Sequence, residues 1–179
     1  MPRFALSPDS RVLVDLRATG LLRALGHNPT LVAHPEPATV EAEEGDAGTT
    51  ATIALRFPVA RIDPPEDVGR DDRDKMRENM LAPEVLDAAR FPAVDVKARW
   101  RGGPDSGRLE VDATLRGKSH ALAMAVVLER EGNDVLARGT WEGRLTDLGI
   151  KPFRALMGAL KLEDWVRLRL EARLSPSTG

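Results

Sequence analysis

The side chains that could carry chemistry are few, and their spacing decides how far each can be taken. The three histidines are His27, His34 and His120. A mononuclear metal site needs several ligands converging. His27 and His34 could meet across a bend, but no histidine or acidic partner at i, i+2 or i, i+4 accompanies them. Ser10, Ser106 and Ser119 lie beside turns, outside any GxSxG context. Ser119 and His120 are neighbours on an expected strand, so their side chains leave opposite faces and cannot pair as nucleophile and base. The glycine-containing stretches RGGP and EGND lack the Lys and Thr of a phosphate loop. With no cysteine in the chain, disulfides, thiolate metal sites and thiol nucleophiles are excluded together. The reading is of a protein that is not an enzyme and holds neither metal nor cofactor. An enzyme acting on a hydrophobic substrate would have to build its site from His27, His120 or Asp147 at the mouth of the fold.

Composition narrows the partners. Against 28 acidic residues stand 26 basic ones, a formal charge of −2, so no global field recruits nucleic acid or an anionic surface. The start, MPRFALSPDSRV, shows no basic stretch followed by an apolar run, and no window reaches a transmembrane length. A soluble, cytoplasmic protein is expected. Its 179 residues suit one domain over 1–179. Three Trp, four Phe and no Tyr leave an interior of Val, Leu, Ala and Met, a poor stacking platform for bases or sugars and a good neighbour for hydrocarbon.

The elements that position these residues are mostly strands. Val166, Leu168, Leu170, Ala172 and Leu174 alternate with Arg167, Arg169, Glu171 and Arg173, a strand with one wet face. The same period runs through RVLVDLRA, ATIALRFPVARI, AVDVKARW and GRLEVDATLRG, separated by turn-forming stretches at 43–48, 101–107, 116–118 and 131–134. Short polar turns between successive strands mean antiparallel pairing. The expectation is an all-β fold, an elongated eight-stranded antiparallel barrel of lipocalin-like shape. A barrel is preferred to a sandwich because the chain is short of large inward residues.

Two segments depart from period two and predict short helices, at about 71–89 and 151–161. In the first, Met76, Met80, Leu81 and Val85 follow an acidic start at Asp71 and Asp72, and Pro83 predicts two short helices or a kink. In the second, Phe153, Leu156, Met157 and Leu160 form an apolar stripe. Two strands stand out as well. HALAMAVVLER is apolar on both faces, so a helix or a second subunit should cover its outside. LARGTWEGRL carries Ala137, Gly139, Trp141 and Gly143 on one face. These small residues either leave free volume inside the barrel or let the strand bend. The candidate lining residues are Val14, Leu55, Phe57, Val96, Trp100, Leu115, Met124, Val126 and Trp141. Met76 and Met80 would cover the interior from the helix, their flexible thioethers adapting to ligand shape.

Taken together, several stretches resemble the YceI-like proteins: Ser10 and Arg11 opening a strand, RDKMRENML at 73–81 leading into RFPAV at 90–94, LEVDATLRGKSHAL at 109–122, and RLTDLGIKP at 144–152 before the last strand. They come in that family's order and span nearly the whole chain. Asp9 stands where the family often has His, and the first hairpin reads ATGLLRALGHNPTL. The resemblance implies a lipocalin-like barrel holding a long isoprenoid or similar amphipathic lipid, with the protein acting as carrier, store or scavenger, and it implies a homodimer. A ligand-free barrel working through protein contacts is the other expectation to be tested.

Overall fold

The computed structural model describes residues 1–20, 28–155 and 160–178. Twelve strands account for most of them: β1 (Arg3–Leu6), β2 (Arg11–Gly20), β3 (Thr30–Ala33), β4 (Thr39–Gly45), β5 (Gly48–Pro58), β6 (Ile62–Asp63), β7 (Ala93–Gly102), β8 (Ser106–Leu115), β9 (Lys118–Glu131), β10 (Asp134–Gly143), β11 (Arg154–Ala155) and β12 (Leu160–Pro176). Pairing runs β4-β5-β7-β8-β9-β10-β12, and β1 joins both β12 and β4, which closes an eight-stranded antiparallel barrel. The expected closure and strand number are present. β2, β3 and β6 extend the ring, since β2 lies on the same edge of β12 as β1, β3 pairs with β2, and β6 with β3.

Local chemistry explains the breaks and turns. β1 and β2 form one interrupted stave, and at the interruption Ser10, only 2% exposed, binds the backbone of Arg173. Its Oγ accepts from the Arg173 N–H at 3.0 Å and faces the Arg173 carbonyl at 3.4 Å, replacing ladder bonds lost at the break. β8 and β9 are joined by two residues, Arg116 and Gly117, with φ of 49° and 74°, the left-handed pair that a tight hairpin turn requires. The fourteen-residue β9 spans roughly 45 Å along the strand.

Among the described residues there is one α-helix, α1 (Arg70–Leu81), with Asp71 and Asp72 in its first turn. It ends at Ala82, ahead of Pro83, whose ring disfavours helical backbone in the preceding residue. Residues 82–90 continue as turns, so the expected helical stretch of 71–89 is helical only in its first half. Met80 and Leu86 are buried against Phe57, Val59, Ile62 and Leu115, closing one end of the barrel. Arg77 fastens the helix by a 3.2 Å bond to the Ala60 carbonyl and a 3.5 Å contact with Asp63, which in turn meets His34 at 3.1 Å.

The second expected helix, 151–161, is corrected. Residues 151–153 are irregular, and Arg154 and Ala155 form β11, paired with Lys161 and Leu160; residues 156–159 lie outside those described. The reason is tertiary. β10 ends at Gly143, opposite Val166, which leaves the first residues of β12 without a partner on that edge. β11 takes the edge, and the Leu162 N–H bonds the Phe153 carbonyl at 3.0 Å. Nor does a helix cover the outside of β9 among the described residues. Ala121 and Ala125 are exposed there, and Val127 is 53% exposed.

Candidate ligand cavity

Inward residues of the eight staves surround a cavity of about 440 Å³. It reaches the rim at one end, at Glu44, Thr49, Gly103, Pro104 and Arg130, and at the other end it is bordered by Met80, Val85 and Leu86 of the helical cap and by Lys151 and Phe153. Between the two ends the walls are aliphatic apart from Phe4, Phe57 and Trp100. Polar groups occur only at the extremities, so the interior can hold a hydrocarbon chain while a polar head reaches water.

Nine of the eleven expected lining residues border this space: Val14, Leu55, Phe57, Met80, Val96, Trp100, Leu115, Met124 and Val126. Two do not. Met76 is half-buried one turn before Met80 and borders neither the cavity nor the apolar cluster beneath the cap. Trp141 packs against the central cluster, its ring lying over Gly143 where a Cβ would collide with it. That observation also resolves the role of the small residues on β10. A Cβ at Gly139 would sit 2.8 Å from Val126 Cγ2 and 2.9 Å from Met124 Sδ. Neighbouring side chains already occupy the room these glycines leave.

Alanines outside those eleven residues border the free volume as well. Ala42 and Ala51 face each other across β4 and β5, and Ala98 on β7 lies between Ile53 and Val111. All three are buried and border the cavity, as do Ala33 and Ala113. Their signal was available as inward positions in strands already marked by period two. What one strand cannot reveal is that several small residues cluster on adjacent staves.

Among the described residues no hydrogen bond joins the candidate catalytic groups His120 and Asp147. His27 lies outside the described residues. His34 is bound to Asp63, and Asp147 receives the Arg144 N–H at 2.9 Å and the Arg144 guanidinium at 3.1 Å. These bonds to Arg144 hold the Asp147 carboxyl below the usual carboxylate range. His120 packs near Gly149 with its Nε2 buried and without a hydrogen-bond partner. Of the serines, Ser10 is engaged with Arg173, while Ser106 and Ser119 are exposed. Among the described residues no group of three His, Asp or Glu side chains is placed to hold a metal ion.

The most strongly perturbed acid lies on the outer wall. Burial penalises the charged form of Asp15, but hydrogen bonds from Arg169, Thr30 and Arg167 outweigh it and bring the carboxyl down to about 2. Arg169 contacts it at 2.6 and 2.8 Å, and Arg167 at 2.9 Å. This cluster ties β12 to β2 and β3 from outside, leaving the inner faces of the same strands to the cavity.

No family model matches the sequence, and no curated protein matches it. Solved structures do. BcnA of Burkholderia cenocepacia superposes with a TM-score of 0.64 over 92% of this chain and 95% of its own, at 11% identity. The YceI protein of Campylobacter jejuni gives a TM-score of 0.59 over 79% of this chain and 81% of its own, at 8% identity. The fold is the YceI-like barrel. Only the backbone path is common at such identity, so the cavity of this YceI-like barrel has to be read from its own side chains. No helix among the described residues is long and apolar enough to cross a membrane.

Proposed function

We propose that the protein binds a long-chain amphipathic lipid, of isoprenoid or isoprenoid-quinone type, and acts as its carrier, store or scavenger. The observation that carries this reading is the cavity of about 440 Å³, aliphatic along its length and polar only at its ends. At about 30 Å³ for a water-sized group, that volume has room for about fifteen methylene-sized units. Each buried CH₂ contributes roughly 0.8 kcal/mol, so about ten of them offer on the order of 8 kcal/mol before association costs are subtracted. Retention by such a site needs no special polar group in the interior.

An enzymatic reading would need convergent polar groups, and of its candidates Asp147 is bound by Arg144 while the buried Nε2 of His120 has no hydrogen-bond partner. The proposal includes a homodimer joined through the exposed apolar side of β9, where Val127 is the most exposed large residue. Sedimentation analysis checks it: Val127→Arg should shift a dimer to monomer. A cytoplasmic site of action goes with the same reading, and cell fractionation tests it. The binding function is tested by native mass spectrometry and organic extraction of freshly purified protein. Extra mass extractable as a lipid is expected, and a bare mass with no uptake of quinones or fatty acyl lipids would overturn the reading.

A further inference from the structure

The formal charge of −2 hides an uneven distribution. Where β11 meets the start of β12, Arg154 and Lys161 are direct cross-strand partners, both exposed. Like charges opposite one another in an antiparallel pair cost stability unless an anion compensates. On its other side Lys161 pairs with Thr19, and Arg17 follows two residues back on the same outer face. Arg17 is exposed, and its guanidinium lies 3.7 Å from the ring centroid of Trp165, which holds it in place. Lys151 is exposed too and, with Phe153, borders the cavity.

The nearby carboxylates are engaged elsewhere. Asp147 is bound by Arg144, Asp164 by Thr146 at 2.6 Å, Glu142 by the Trp165 indole N–H at 2.7 Å, and Asp15 by Arg167 and Arg169. Glu163, half-buried in the bulge of β12, is the remaining acid of this edge. Four cations with no salt-bridge partner among the described residues therefore lie on this edge, at the end of the barrel where Lys151 and Phe153 border the cavity.

We propose that this edge docks on an anionic phospholipid surface. Lys151, Arg154, Lys161 and Arg17 meet the headgroups, and the capped end of the barrel, where Phe153 borders the cavity beside Met80 and Leu86, is brought against the bilayer. Docking stands on the charge pattern alone; that a lipid then passes between bilayer and cavity rests on the function proposed above.

The test is co-sedimentation of the full chain with vesicles of phosphatidylcholine and phosphatidylglycerol in roughly equal parts, compared with pure phosphatidylcholine. Binding to the anionic vesicles only, weakening as salt is raised, is expected. At about 5-fold per basic side chain near such a surface, Arg154→Glu with Lys161→Glu should weaken binding at least about 25-fold. Arg17→Gln, which leaves the β11–β12 pair untouched, should weaken it about 5-fold. Arg99→Glu with Arg101→Glu makes the same change in net charge on exposed sites toward the other end of the barrel, and should bind like the parent. Equal binding to both vesicle types, no binding to either, or equal loss in the Arg99 and Arg101 control would overturn docking. Uptake of a soluble quinone analogue without vesicles is measured in parallel. Its absence beside intact vesicle binding would refute the lipid-binding reading and leave docking standing.

Discussion

Two walls of the barrel are built from small residues, and they do opposite things. On β10, Gly139 and Gly143 leave room that Val126, Met124 and the ring of Trp141 fill completely. On β4, β5 and β7, Ala42, Ala51 and Ala98 are small side chains that border the cavity, with Phe4, Ile53 and Trp100 packed beside them. Residue size along one strand therefore does not report free volume. A large neighbour two residues away, or on the next stave, can lie over a glycine, as the Trp141 ring does over Gly143, whereas Ala42, Ala51 and Ala98 still border the cavity with Trp100 and Ile53 beside them.

Substitution should separate the walls. Gly139→Ala should cost up to about 3 kcal/mol in urea denaturation, because its Cβ would lie 2.9 Å from the Ala125 carbonyl oxygen as well as near two side chains. A loss of less than about 0.5 kcal/mol would mean that this wall has slack. Met80→Ala, at the capped end, should cost about 2 kcal/mol, while Met76→Ala should stay within about 0.5 kcal/mol. Equal effects would place both methionines in the cap. For Gly143→Ala the nearest atoms belong to the side-chain ring of Trp141, so a loss of about 1 kcal/mol with a changed tryptophan emission is expected.

The outer wall supplies a control that should leave the cavity alone. The Asp15 carboxyl is lowered from 3.8 to about 2 on folding, so its contribution is complete above the unfolded value and is lost as pH falls toward the folded one. With both arginine partners partly exposed to solvent, that contribution is about 1 kcal/mol. Stability should fall between about pH 4 and pH 2 in the parent and stay flatter there in Asp15→Asn, itself less stable at neutral pH. Identical acid profiles would show that the cluster does not contribute.

Much of this was legible in the sequence. Period two marks the inward faces of the long strands, and Val14, Leu55, Phe57, Val96, Leu115, Met124 and Val126, which lie on those faces, border the cavity. The errors have a common origin in pairing between distant residues. The stripe at Phe153, Leu156, Met157 and Leu160 reads as a helix until β10 stops at Gly143 and leaves β12 an open edge. Trp141 reads as lining until its ring folds over Gly143, and the alanines read as filler until Ala42 and Ala51 meet across β4 and β5.

The same alanines allow the most direct test of the central claim. Ala98→Leu projects its added carbons into the free volume, so unfolding stability should change by less than about 1 kcal/mol. Quinone and fatty acyl uptake, titrated by fluorescence on delipidated protein, should fall at least tenfold relative to the parent. Uptake unchanged in Ala98→Leu, or absent from the parent, would contradict a ligand chain lying along the axis of this barrel.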